Sequence, residues 1–202
     1  RWVAEPSWEN ARYALIFADI RCIYGDESLA RQLKQAFFAD LADNRAALGD
    51  LLNNTLHRKV SMGIFGQLIP ERYGEDAGGF DVKYGSYIPL VNGIRFLALE
   101  SGCMATSTGE RIESLVRDQA DLAGMAAEWK RALSINLMLR SLASHNQDGD
   151  LYHSSGKIPL RLMTKTMRQE LKDSLRVCRR LHRYTRKIVE RKLARREGRH
   201  PG

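Results

Sequence analysis

At 202 residues, with 44% apolar and 28% charged side chains, the chain can bury a core and is too ordinary in composition for a disordered or fibrous protein. No run approaches the roughly 18 apolar residues of a membrane span, and Cys22, Cys103 and Cys178, scattered and without a CxxC pair, give no zinc-knuckle or redox motif. The net charge of +8 is uneven: from Ser174 onward eleven Lys or Arg face only Glu190 and Glu197, so that segment carries +9 and the rest about −1, which argues against a nucleic-acid-binding body.

Ser7 is placed to cap a first helix. The apolar run 13–24, interrupted by Asp19 and Arg21, is long enough to continue it as far as Gly25. Asp26 or Ser28 caps a second helix with Leu29, Leu33, Phe37 and Leu41 on one stripe, and Leu48, Leu51, Leu52 and Leu56 mark a short third. Glycines and prolines between 61 and 89 break any helix; the stretches 64–72 and 80–84, joined by a turn at 73–79, predict a β-hairpin over about 64–84.

After Pro89, Leu90, Val91, Ile94, Leu97 and Ala98 form a helical stripe ending at Gly102. Ser107 with Glu110 is a capping box for a helix reaching Val116. Another runs from Asp118 or Asp121 to about Ser144, with Leu122, Met125, Trp129 and Leu133 on its stripe. Residues 146–157 read as a loop. Over about 160–195, Met163, Met167, Leu171, Leu175, Cys178, Leu181, Thr185 and Ile188 make a near-heptad seam on one long basic helix, whose stripe could pack on a second copy. With a lone Tyr184 for stacking, nucleic acid is an unlikely partner for it. The expected fold is a single, mainly α domain across 1–202: a helical bundle with one inserted β-hairpin and a long basic C-terminal helix.

Self-contained catalytic machinery is missing from the pattern. Nucleotidyl transfer needs a Gly-Ser anchor for the triphosphate and carboxylates that hold magnesium against the phosphoryl charge. The one Gly-Ser, Gly85-Ser86, has no acid pair after it, and Asp148-Gly-Asp150 reads as a solvated turn. No metal site and no catalytic residue is assigned. What stands out is charge inside apolar or structured stretches: Asp19 and Arg21, Asp81 and Lys83, Arg95, Glu110 and Arg111, and Arg140. Such charges are seldom buried unpaired. Internal ion pairs such as Asp19–Arg95 or Asp81–Arg111 are one reading. The other is a polar cleft for a phosphorylated or acidic partner.

The string Ile16-Phe-Ala-Asp-Ile-Arg-Cys-Ile-Tyr-Gly-Asp26, followed in order by Gly63-Ile-Phe-Gly66, Phe80-Asp-Val-Lys83 with Gly85 and Pro89, Arg95-Phe-Leu-Ala-Leu99, Thr106-Ser-Thr-Gly-Glu-Arg111 and Leu137-Met-Leu-Arg140, resembles the putative nucleotidyltransferase substrate-binding domains of bacterial signalling proteins. The resemblance spans roughly 12–185 and extends distantly to the helical domain of protein-PII uridylyltransferases. It implies a cytoplasmic, substrate-positioning domain behind cyclic-nucleotide-binding, CBS and nucleotidyltransferase modules of the same chain. The first residue, Arg1, and the lack of a leader fit such an excised piece. Mg²⁺ and a nucleoside triphosphate would then belong to the catalytic module, and the acceptor would be a protein or a small molecule. Asp81, Lys83, Arg95, Glu110, Arg111 and Arg140 are the expected substrate-binding residues, with Asp19 and Arg21 as possible structural ion pairs. The chain departs from the family pattern at His145, where glutamine is usual, and in its basic end.

Two other classes fit parts of the pattern. The bundle could be a non-enzymatic docking or dimerisation module, including a homodimer. Arg140 and His145 also satisfy the R-x4-H spacing of HEPN-type ribonucleases, in which such a pair supports general acid/base chemistry.

Overall fold

The computed structural model describes residues 3, 5, 7–57, 59–74, 77–143, 146–148, 151–153 and 155–197. Among them seven α-helices carry the fold: α1 (Trp8–Phe17), α2 (Glu27–Asp43), α3 (Arg45–Leu56), α4 (Ile88–Glu100), α5 (Thr108–Asp118), α6 (Ala123–Ala143) and α7 (Lys165–Glu197). Four three-residue strands complete it: β1 (Gly79–Asp81), β2 (Asn146–Asp148), β3 (Leu151–His153) and β4 (Lys157–Pro159). The architecture is mainly α, with short antiparallel pairing and a long basic C-terminal helix, as the sequence indicates. No helix among the described residues is long and apolar enough to cross a membrane.

The chain divides into two compact units. The first comprises 1–57, 93–123 and 182–202, the second 58–92 and 124–181, so α4 and α7 each contribute to both. In the first unit α1, α2 and α3 enclose Ala14, Leu15, Phe37, Leu41, Leu48 and Leu51, joined by Phe96 and Leu99 of α4 and Val189 of α7. Phe17, Phe37 and Phe38 meet there at ring separations of 5.3 and 5.5 Å, within the range where tilted rings attract. In the second unit Phe80 and Val82 pack with Ile135 and Leu139 of α6, Ile158 of β4, and Leu171 and Leu175 of α7. Asn136, fully buried on α6, donates to Ser174 Oγ of α7 at 2.8 Å, tying the two helices at one register. The seam on α7 is buried from Leu171 through Leu175, Cys178 and Leu181 to Thr185, whereas Met167 and Ile188 are half-buried and Val189 faces inward beside Ile188.

Several elements differ from their sequence expectation. The first helix stops at Phe17, not near Gly25. Beyond it Ile23 and Tyr24 are 90% and 98% exposed, so this apolar run has no core to bury against. On α2 the inward face is Lys34, Phe37 and Leu41, whereas Leu29 and Leu33 point outward. The rotation follows Phe37 and Leu41, which reach the main core of this unit.

The hairpin expected over 64–84 is also rearranged. Residues 64–72 contribute the bridge from Met62 to Leu68 and a turn closed by Glu71, whose N–H donates to Gly79 O at 2.8 Å and whose carbonyl accepts from Gly78 N–H at 2.9 Å, while β1 pairs along its length with β4, Phe80 opposite Ile158. Strand character at 80–84 ends at Asp81, after which Lys83–Tyr87 winds as a π-helical turn into α4, so Asp81 and Lys83 do not share a strand face. Gly85 makes that turn possible, because a Cβ there would lie 2.6 Å from Ser61 Oγ. The expected loop 146–157 holds β2 and β3, paired with each other, and the start of β4. Gly149, Asp150 and His145 lie outside the described residues.

Candidate functional site

The first unit gathers charge around the end of α1. Asp19 follows the last turn of α1, and its carboxylate accepts from Arg95 of α4 at 2.5 Å and from Arg111 of α5. Arg111 is buried, with only 4% of its side chain exposed, and its Nε–H also donates to Ala105 O at 3.0 Å. The position of Arg111 comes from the capping box. Ser107 Oγ accepts from Glu110 N at 3.2 Å and donates to Glu110 Oε2 at 2.8 Å, fixing the first turn of α5 from which Arg111 projects. Upstream, Gly102 at φ +71 closes α4, with Cys103 N–H donating to Ala98 O, so the 103–106 segment returns directly into α5.

Lys34 is the third cation here. It is 3% exposed, and its ammonium donates to Met104 O at 2.7 Å. Burial, and then the nearby Arg111 guanidinium, hold its pKa below the usual lysine range, with Asp19 opposing them. Three cations thus share one carboxylate at this place.

Beside this cluster lies an open cleft of about 320 Å³. One wall is Ile20, Arg21 and Cys22 with Glu27, Ala30, Arg31 and Lys34 of α2, and the other is Met104, Ala105, Thr106 and Glu110. Asp26 caps α2 through Ser28 N–H at 2.7 Å, and the Ser28 hydroxyl, then that backbone N–H, lower the Asp26 pKa; this cap sets where Glu27 and Arg31 stand. Arg21 and Arg31 are exposed, Cys22 half-buried and Lys34 buried, so positive charge runs from the rim inward.

The residues singled out from sequence separate into two groups. Asp19, Arg95 and Arg111 form one ion cluster, while Arg21 and Glu110 line the cleft next to it. Asp81, Lys83 and Arg140 belong to the second unit. There Asp81 Oδ1 accepts from Tyr84 N–H at 2.7 Å, Lys83 Nζ stands 4.9 Å from the Tyr84 ring, and Arg140 lies 4.3 Å over the Tyr87 ring. The Asp19–Arg95 pair is present. The anticipated Asp81–Arg111 pair is not: Arg111 takes Asp19, and Asp81 caps a backbone turn.

Sequence reasoning missed Glu27, Arg31, Lys34 and Thr106. Lys34 had a signal, since it stands three and seven residues before Phe37 and Leu41 and so shares their face. Ser86 is fully buried and its carbonyl accepts from Cys178 Sγ at 3.6 Å, so Gly85-Ser86 is a packing element with no room for a triphosphate. Among the described residues no three His, Cys, Asp or Glu side chains gather as a metal site requires.

Residues 45–189 match a family described as the putative nucleotidyltransferase substrate binding domain. The chain belongs to this family. The match takes in α3 to α6 and most of α7, so Thr106, Glu110 and Arg111 lie within the matched segment, whereas Asp19, Arg21, Arg31 and Lys34 precede it. Comparison with curated proteins and with solved structures gave no match.

Proposed function

We propose that this chain positions the acceptor of a nucleotidyl transfer, adenylyl or uridylyl, and that the cleft beside Lys34 receives that acceptor. The observation that carries the reading is a buried lysine at the inner end of an open cleft whose rim holds Arg21 and Arg31. Family membership supplies the class of reaction.

In this reading Mg²⁺ and the nucleoside triphosphate are held by a separate nucleotidyltransferase module of the parent protein, under control of sensor modules such as CBS or cyclic-nucleotide-binding domains. The contribution made here is orientation. An acceptor held in line with an activated phosphate loses much of the entropic barrier to reaction.

Arg31 and Arg21 would draw the acceptor in, Lys34 would fix it, and the Asp19–Arg95–Arg111 cluster would hold the walls in register. The test is transfer of labelled nucleotide by the full-length protein with Mg²⁺ in a cell extract. Arg31→Ala should reduce labelling about tenfold or more with helicity unchanged. Equal labelling by wild type and Arg31→Ala would remove the cleft from the reaction.

A further inference from the structure

We infer that the cleft takes a small hydroxylated phosphate monoester, its phosphate toward Lys34 and Arg31 and its hydroxyls toward Glu27 and Glu110. The inference rests on the reading of the cleft as the acceptor site, and it narrows the acceptor's class. Three features of the molecule lead to it.

The first is charge. Lys34 and Arg111 are both buried at this place, and the Asp19 carboxylate that pairs with Arg111 also pairs with Arg95. The hydrogen-bond acceptor of Lys34 is the neutral carbonyl of Met104, so its ammonium is hydrogen-bonded without being neutralised by that contact. A buried cation next to other cations is costly, and an anion seated beside it offsets the cost. Arg31 reaches the same cleft one turn of α2 earlier and offers a forked donor that matches phosphate geometry.

The second is size. About 320 Å³ is at the lower end for ligand sites, a size that suits a small molecule.

The third is the pair of carboxylates. Glu27 and Glu110 line the same cleft, and Glu110 Oε2 already accepts from Ser107. Carboxylates bind hydroxyl donors well and repel further negative charge. A bare polyanion would meet that repulsion, whereas a single phosphate carried on a polyol would meet both sets of partners.

Ribose 5-phosphate is a suitable probe, with ribose and pyrophosphate as controls, titrated calorimetrically into the chain. One site should appear for ribose 5-phosphate, with ribose and pyrophosphate each binding about tenfold more weakly or worse. Arg31→Ala, at an exposed position, should weaken ribose 5-phosphate about tenfold, and Lys34→Met should abolish its binding. Alkylation of Cys22, which lines the cleft, should slow when ribose 5-phosphate is present in the wild type but not in Lys34→Met.

Absence of both heat and Cys22 protection would overturn the inference, as would tighter binding of pyrophosphate or binding indifferent to Arg31→Ala. The labelled-nucleotide assay separates the two levels. Transfer to a protein acceptor without ribose 5-phosphate binding would sink the ligand class and keep the proposed function. Lys34-dependent binding without transfer to any acceptor would do the reverse.

Discussion

In the first unit one carboxylate, Asp19, serves two guanidiniums while Lys34 is buried beside them. In the second unit several charges have a local match: Arg180 with Glu128 at 2.7 Å, Arg176 with Asp173 at 2.5 Å, Asp81 with the Tyr84 N–H, and Arg140 on the Tyr87 ring. The same residue types therefore do different work. Where each charge has its own neutral or opposite partner, it fixes local geometry. Where several cations gather beside a cleft, the proposed function has an anionic ligand offset the cost of holding them there.

The contrast can be broken first at Asp19. Asp19→Ala should leave Arg111 buried without its counter-ion and destabilise the chain by about 3 kcal/mol, read as the shift in urea midpoint. Asp81→Ala, which removes only a turn cap in the second unit, should cost about 1 kcal/mol. Equal losses would show that the two units do not differ in this way.

Arg140→Ala comes next, at about 1 kcal/mol from loss of the contact over Tyr87, with ribose 5-phosphate affinity unchanged. A change in that affinity would extend the ligand's reach into the second unit. Ser107→Ala removes the capping box and should also cost about 1 kcal/mol, but here affinity should fall as well, since the cap sets the wall that carries Thr106 and Glu110.

The smallest effect concerns pH. The pKa of Lys34 is lowered on folding by burial and by Arg111, so between that lowered value and the ordinary lysine value near 10.5 the unfolded chain binds more protons than the folded one. Stability from this group therefore rises with pH across that window and is level below it. From about pH 8 to about pH 11 the stability of the wild type relative to Lys34→Met should increase, because Cys178 and Tyr184, whose pKa values burial raises, act equally in both. Ribose 5-phosphate binding should run the other way and weaken as the Lys34 proton is lost.

Much of the fold was legible in local pattern. Ser7, Asp26 and Ser107 cap helices where side-chain chemistry directs them, and the seam of α7 from Leu171 to Leu181 faces inward as its spacing requires. The strand pairing was not legible: β1 begins the stretch expected to be extended at 80–84, but its partner β4 lies more than seventy residues away. The site was half legible: Asp19, Arg95 and Arg111 stood out as charges in apolar surroundings, but Lys34 lay among Leu29, Leu33 and Phe37 on a helix whose rotation local pattern left open.

Sequence alone determined the helical class, the capping of its helices, the basic end and the family to which the chain belongs, since all of these are encoded in neighbouring residues or in ordered motifs. Only the tertiary structure decided that α2 turns Lys34 inward and that Arg111 pairs with Asp19 instead of Asp81. The reason is physical: which face of a helix is buried, and which carboxylate a buried guanidinium reaches, depend on packing between segments far apart in the chain.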